Sequence, residues 1–230
     1  MHKKFTDGDD SGLIEKLPLE ITSVTPQKKR KERFSLFHES EFLMGVSTDT
    51  LLSYSLSEGV VLTPTLYQKI KESEEYSAVK DRCYLLLSGR DHSAGELCTK
   101  LVQKGFKREM INRVVDEFAE KGLLNDREFA RKFATDKAEL RGWGPVKIKN
   151  ELIKKGVSKS AAIEAIKSVE ENLDQTQICV DLALKRNRHF LREEDPHKRK
   201  QKIYRYLAGK GYRSEAITKA IPTILNKLNV

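Results

Sequence analysis

The strongest constraint on the fold is a short segment that occurs three times. It reads KLVQKGF at Lys100–Phe106, ELIKKGV at Glu151–Val157 and YLAGKGY at Tyr206–Tyr212. Each copy has a leucine four residues before a glycine, a lysine directly before that glycine and an apolar residue directly after it. Glycine in the left-handed conformation commonly closes a helix, and lysine in the last turn suits the helix dipole. The pattern therefore predicts three amphipathic helices that end at Gly105, Gly156 and Gly211.

A further helix is predicted after each glycine, because apolar residues recur six, nine and ten positions later. These residues are Ile111, Val114, Val115, Ala162, Ala165, Ile166, Ile217, Ala220 and Ile221. The three glycines are 51 and 55 residues apart, so the repeating unit has three helices and about 50 residues. Small units of this kind bury more apolar area when they stack on one another.

Three modules are assigned on this basis: module 1 at 76–124, module 2 at 125–173 and module 3 at 174–230. Their first helices are expected at Ala78–Ser88, Asp126–Leu140 and Thr176–Phe190. Ser93 with Glu96, and Asn125 with Glu128, have the spacing of capping boxes. Ser158 and Ser214 are expected to cap the third helices of modules 2 and 3.

The chain before the modules has a different character. Residues 1–17 are polar and are predicted to be a disordered tail, and 18–75 are predicted to be an extension that contains β-strands. LEITSV, RFSLF and EFLMGV have strand-like patterns, with HESE as a hairpin turn and QKKRKER as a basic loop. A three-stranded antiparallel sheet is expected, followed by helices that begin after Ser47 or Thr48 and after Thr63, where Pro64 takes the first helical position.

Charge is divided unevenly along the chain. Residues 1–140 contain 23 basic and 24 acidic residues, whereas residues 141–230 contain 20 basic and 10 acidic residues. The net charge of +9 therefore comes from the C-terminal two-fifths. This asymmetry favours a polyanion or an acidic protein surface as partner over a merely solvated face.

Catalytic and metal-binding patterns are absent from the sequence. Cys83, Cys98 and Cys179 form no CxxC and no Cys/His ligand spacing, so buried free thiols are expected. There is no phosphate-binding loop, GxSxG or HExxH motif. We therefore predict a binding protein that is not an enzyme and has no cofactor. Because no apolar run reaches 18 residues, we also expect a soluble, cytoplasmic protein with no membrane partner.

Two basic stretches are the candidate binding sites. RGWGPVKIKNELIKK surrounds the single tryptophan, Trp143, whose ring either stacks on a ligand or packs the turn between helices; we favour the second interpretation. The stretch from Lys185 to Arg213 is dense in lysine and arginine, which suits phosphate contacts with weak sequence specificity. The predicted site residues are Arg90, Arg141, Trp143, Lys147, Lys149, Lys154, Lys155, Arg188, Lys198, Arg199, Lys200, Lys202 and Arg205.

Three motifs together resemble the RecX family of bacterial RecA regulators. The first motif is matched by Arg90, Ser93, Glu96 and Leu97, with His92 in place of a second arginine. The second, Leu-x-Asp-x-x-Phe-Ala, is matched by Leu124, Asp126, Phe129 and Ala130. The third is matched by Gly144, Ile148, Glu151, Leu152, Lys155 and Gly156. The resemblance covers about residues 77–222.

The resemblance implies a mainly helical protein whose three-helix modules form an elongated curved rod, with a small N-terminal extension that contains a β-hairpin. It also implies binding, as a monomer, in the groove of the RecA–DNA filament, with contacts to single- and double-stranded DNA. Such binding would limit filament assembly, ATP hydrolysis and strand exchange. Two alternatives remain open: a general nucleic-acid-binding protein that acts without RecA, and a scaffold that binds only proteins.

Overall fold

The computed structural model describes residues 11–28 and 30–228 and is mainly helical, with strands only near the N-terminus. This confirms the predicted fold class of helical modules with a small β-containing extension. The chain divides into two compact units. One contains the residues up to Arg90 together with Leu97–Phe118, and the other contains Asp91–Glu96 together with the residues from Ala119 onwards.

The strands of the first unit form two small sheets. Their bounds are β1 (Leu19–Glu20), β2 (Ser23–Gln27), β3 (Arg30–His38), β4 (Glu41–Ser47) and β5 (Val61–Leu62). β2, β3 and β4 form the expected three-stranded antiparallel sheet, and β1 pairs with β5. The predicted single strand LEITSV is therefore two strands in different sheets. The predicted basic loop is also wrong for the most part, because Arg30–Arg33 belongs to β3. Arg30 pairs with Gln27 of β2, and Arg33 pairs with Ser47 of β4.

The helices before the first repeated glycine are α1 (Ser11–Ile14), α2 (Thr48–Ser53), α3 (Pro64–Leu87) and α4 (Ala94–Val102). Ser47 and Thr63 cap α2 and α3 as predicted. The two helices expected on either side of residue 77 are one continuous helix, α3. Of the predicted tail, residues 1–10 lie outside the described residues, and α1 occupies part of the remainder.

The remaining helices follow the repeat closely. They are α5 (Arg108–Glu120), α6 (Asp126–Arg141), α7 (Pro145–Lys154), α8 (Lys159–Asn172), α9 (Gln175–Leu184), α10 (Asn187–Leu191), α11 (Pro196–Lys210) and α12 (Ser214–Leu228). The predicted helix Thr176–Phe190 is thus broken into α9 and α10. Ser158 caps α8, whereas Ser214 is the first residue inside α12 rather than its cap, and its hydroxyl lies 2.7 Å from the hydroxyl of Tyr204.

The three repeated glycines close their helices as the pattern predicts. Gly105, Gly156 and Gly211 have φ of 90°, 80° and 94°. The amide of the next residue donates to the carbonyl of the leucine five positions earlier, as in Val157 to Leu152 at 3.1 Å. Val157 and Tyr212 are buried in the cores of modules 2 and 3, while Phe106 is half-buried.

Candidate functional site

The repeated Lys-Gly turn has a second role in the tertiary structure. In two of the copies, the carbonyl groups of the turn accept hydrogen bonds from the start of another helix. We call the contact of Ser93–Glu96 with the Lys155–Gly156 turn joint A. The Ser93 hydroxyl caps α4 and donates to the Lys155 carbonyl at 2.5 Å. A Cβ atom added to Gly95 would lie 2.5 Å from the Cα of Gly156, so the two backbones touch. All of these residues belong to the second unit.

Joint B is the equivalent contact of Gly144–Lys147, at the start of α7, with the Lys210–Gly211 turn of module 3. The Gly144 amide donates to the Lys210 carbonyl at 2.8 Å, and the Val146 amide donates to the Gly211 carbonyl at 3.0 Å. A Cβ atom on Gly144 would clash with the backbone of Gly211. The motif residues Ser93, Gly144, Lys155 and Gly156 thus take part in joining segments that are distant in sequence.

Joint A contains a carboxylate that neutralises its lysine. The Lys155 ammonium group lies 2.5 Å from the carboxylate of Glu96 and 5.4 Å from the centre of the Phe133 ring. The same carboxylate lies 3.3 Å from Nδ1 of the buried His92. The side chains of Lys155 and Glu96 are only 25% and 13% exposed, so water screens this ion pair weakly.

Joint B has the opposite electrostatic character. The Lys210 ammonium group donates to the Arg141 carbonyl at 3.3 Å and lies 6.0 Å from the centre of the Tyr206 ring. The Arg186 guanidinium lies 5.1 Å from the centre of that ring. Partial burial, and then the charges of Lys147 and Arg186, lower the pKa of Lys210 below the usual lysine value.

Trp143 packs beside joint B. Its ring meets Phe133 edge-on at 6.5 Å between centres, next to the core of module 2. The Lys147 ammonium group lies 4.5 Å from the centre of the indole ring, and that of Lys137 lies 5.7 Å away. The tryptophan therefore packs the turn after α6 and also holds cations against its ring, an arrangement that favours positive charge.

The structure brings together only some of the predicted site residues. Arg141, Trp143 and Lys147 lie at joint B. Lys154 pairs with Glu151 at 2.8 Å on the exposed side of α7, and Lys149 is half-buried on the same helix. Lys155 is at joint A, where its side chain is paired with Glu96.

The other predicted residues belong to other segments of the chain. Arg90 belongs to the first unit, and Arg188 is exposed on α10. The remaining five are on α11: Lys198, Arg199, Lys200, Lys202 and Arg205. Two of them contact Glu193, since Arg199 donates to its carbonyl at 2.9 Å and Lys202 lies 3.6 Å from its carboxylate. Lys198, Lys202 and Arg205 follow the spacing of one helix face.

Sequence reasoning missed Lys137 and also missed Glu96 as the partner of Lys155. Arg186 and Lys210 were included only as members of the basic stretch from Lys185 to Arg213, without being singled out as site residues. A usable signal was present. Counting back nine residues from the repeated glycine reaches Glu96 in the first copy and Lys147 in the second. Aligning the copies by their glycines would have shown this charge reversal.

The cysteines are not disulfide-bonded, and two of them are buried. Burial, followed by the neighbouring Cys98, raises the pKa of Cys83 to about 11. Burial, followed by Asp174, raises the pKa of Cys179 to about 12. These two thiols therefore stay protonated near neutral pH and are poor nucleophiles. Cys98 is only half-buried, which corrects the expectation that all three are buried.

Residues 11–28 and 30–228 contain no cluster of three or more His, Cys, Asp or Glu side chains that is placed to hold a metal ion. Within the same ranges, no helix combines the length and the apolar character that a membrane span requires.

Comparison with known proteins gives a consistent family match along the chain. Residues 19–63 match the regulatory protein RecX N-terminal domain. The first, second and third three-helix domains of RecX match residues 80–118, 125–166 and 174–221.

Full-length relatives and solved structures agree with these matches. Regulatory protein RecX of Clostridium acetobutylicum is 28% identical over 211 residues, which cover 91% of this chain and 98% of the relative. That of Listeria monocytogenes is 27% identical over 215 residues, covering 92% and 78%. A crystal structure of regulatory protein RecX superposes with a TM-score of 0.71 at 21% identity, covering 87% of this chain and 98% of that one. RecX from Lactobacillus salivarius gives a TM-score of 0.59 at 22% identity, covering 66% and 97%. This chain, with matches to all four domains in order, belongs to the RecX family of regulatory proteins.

Proposed function

We propose that this chain regulates the RecA recombinase, mainly as an inhibitor that binds in the groove of the RecA–DNA filament. Binding there limits filament assembly, ATP hydrolysis and strand exchange, and it involves contacts with both RecA and DNA. The observation that carries the proposal is the ordered match to all four RecX domains. The family is a family of regulators, and the chain is assigned no chemical reaction.

The charge distribution supports a polyanionic partner. The second unit contains the strongly basic residues 141–230. Among the residues that the structure describes, Lys147, Arg186 and Lys210 at joint B form no ion pair with a carboxylate. Basic surfaces of this kind bind phosphate backbones by releasing counterions, largely without regard to base sequence. Contacts with RecA would then direct the chain to filaments rather than to bare DNA.

The test is ATP hydrolysis by RecA on single-stranded DNA, titrated with this protein at fixed DNA concentration. Binding of the protein to bare DNA is measured in the same buffer. We expect inhibition at protein concentrations that leave most of the bare DNA unbound, because a filament regulator acts through the RecA–DNA complex.

Inhibition that begins only when the DNA is saturated would contradict the proposal. It would indicate competition for DNA and favour a general nucleic-acid-binding protein. No effect on hydrolysis, combined with no salt-dependent DNA binding, would favour a protein-binding scaffold.

A further inference from the structure

Joint B has a local excess of positive charge. Glu151 offsets it only in part, because the hydrogen bond with Lys154 is the largest cause of the lowered pKa of Glu151 and the charge of Lys147 is a smaller one. In the described part of the chain, none of Lys147, Arg186 and Lys210 forms an ion pair with a carboxylate. The carboxylate of Glu151, one turn after Lys147 on α7, is paired with Lys154 at 2.8 Å. The three cations lie against the rings of Trp143 and Tyr206 instead.

Joint A is the equivalent contact between a helix start and a Lys-Gly turn, but its lysine is paired with a carboxylate. Its lysine, Lys155, occupies the position before the glycine that Lys210 occupies at joint B. Glu96 meets Lys155 at 2.5 Å, and the matching position at joint B carries Lys147. The carboxylate of Glu96 therefore supplies a negative charge at joint A, whereas the equivalent position at joint B has the positive charge of Lys147.

We propose that joint B is a phosphate-binding site formed by Lys147, Arg186 and Lys210, and that it holds a phosphate of a nucleic-acid backbone. The inference rests on the proposed function for the source of the phosphate, but the site itself rests on the geometry of the joint. A phosphate brings negative charge to cations that otherwise repel one another, and charge-assisted hydrogen bonds from lysine and arginine are strong. Partial burial is the largest cause of the lowered pKa of Lys210, and the repulsion by Lys147 and Arg186 lowers it further.

A tryptophan beside joint B provides a fluorescence signal for binding at this site. Trp143 is the only tryptophan in the chain, and the Lys147 ammonium group lies 4.5 Å from the centre of its ring. An anion that draws Lys147 away from the ring changes the electrostatic field at the indole. Tryptophan fluorescence of the full-length protein therefore reports directly on joint B.

The experiment titrates the full-length protein with a single-stranded oligo-dT of about 20 nucleotides, longer than a typical single-strand site, and follows Trp143 fluorescence. Lys147→Glu gives joint B the charge arrangement of joint A. We expect it to weaken oligonucleotide binding about tenfold or more while thermal stability is kept or increased, because the new carboxylate can pair with Lys210. Lys210→Gln is the second variant and should weaken binding without adding a carboxylate.

Lys159→Glu is the matched control, because it makes the same charge change at an exposed lysine at the start of α8. It should weaken binding less than about threefold, since only the overall charge changes. Equal losses in Lys147→Glu and Lys159→Glu would overturn the site. A fluorescence signal that does not respond to the oligonucleotide in the wild-type protein would also overturn it.

Free phosphates identify the source. Inorganic pyrophosphate and ATP are titrated in the same way and should bind more weakly than the oligonucleotide. If either binds more tightly, the nucleic-acid assignment is overturned. Failure of the site is distinguishable from failure of the proposed function. If the Lys147→Glu variant inhibits RecA ATP hydrolysis as strongly as the wild-type protein does, the phosphate site at joint B is refuted and the proposed function is not.

Discussion

Two side chains in equivalent positions of the repeat show how much a single residue determines here. Glu96 and Lys147 both lie nine residues before a repeated glycine. Each is in the first turn of a helix whose start contacts a Lys-Gly turn. The carboxylate gives joint A an ion pair of low exposure. The ammonium group gives joint B an accumulation of positive charge. One residue therefore separates a contact that stabilises the fold from one suited to binding an anion.

Glu96→Gln should lower the free energy of unfolding by about 1–3 kcal/mol, because it leaves the partly buried Lys155 ammonium group without its carboxylate. Urea denaturation followed by Trp143 fluorescence measures the change. The control is Glu164→Gln, whose pair with Arg127 is long, at 3.9 Å, and largely exposed. That change should stay within about 0.5 kcal/mol. Similar losses for both variants would contradict the role given to Glu96.

Gly144→Ala tests the close approach of backbones at joint B. The φ and ψ of Gly144 are −80° and 163°, which any residue adopts, so the cost arises only from contact with Gly211. We expect a loss of about 2–3 kcal/mol in the free energy of unfolding, as for other overpacked sites. Gly122→Ala is the control, because Gly122 has φ of 70° and open space around it; its cost should be about 1 kcal/mol. A larger loss for Gly122→Ala would refute the steric explanation.

Among the helices, α7 is the one whose two ends take part in different joints. Its first residues donate backbone hydrogen bonds to the turn of module 3, and the residue that follows it, Lys155, receives the start of α4. Between these ends Lys149 and Lys154 take no part in either joint. A helix of ten residues thus contributes to two joints, and Lys149 and Lys154 belong to neither of them.

Reversing the charge of Lys149 and Lys154 together should weaken inhibition of RecA ATP hydrolysis and leave helical circular dichroism unchanged. Lys155→Glu should instead lower the melting temperature by several degrees, because it places a second carboxylate beside Glu96. The contrast is measured by comparing thermal unfolding and ATP hydrolysis for the two proteins. Wild-type stability in Lys155→Glu, or unfolding of the double variant, would contradict this division of α7.

At the scale of the whole molecule, the distribution of charge predicts how nucleic-acid binding responds to salt. Residues 141–230 hold twice as many basic as acidic residues. Each single-strand phosphate contact contributes about −0.7 to the slope of log K against log salt concentration. One phosphate at joint B together with two more along this basic part of the chain gives a slope of about −2.

Oligonucleotide affinity should therefore fall at least about tenfold between 50 and 200 mM NaCl, a range typical of such measurements. Fluorescence titrations at several salt concentrations give the slope. Lys147→Glu should make the slope shallower by about one contact, whereas Lys159→Glu should leave it close to the wild-type value. A slope near zero in the wild-type protein would rule out phosphate contacts as the main source of affinity.

Much of the architecture was predictable, because it depends on local patterns. The repeated glycines predicted three helix ends, and Thr63–Pro64 predicted the start of α3. Errors arose where non-local contacts override local preference. LEITSV has one strand pattern, yet its first two residues pair with β5 and its later residues with β3. The half of α3 in the extension and the half in module 1 look separate in sequence but form one helix.

The candidate site was less predictable for a related physical reason. The repeat, the helix ends and the basic character of the C-terminal part can be read from the sequence, since these depend on residue type and short spacing. Which of the two lysines is paired with a carboxylate depends on the tertiary structure. Lys155 meets a carboxylate 59 residues away in the chain, whereas Lys210 meets Arg186 and Lys147. Charge interactions depend on distance in space, and the fold sets that distance.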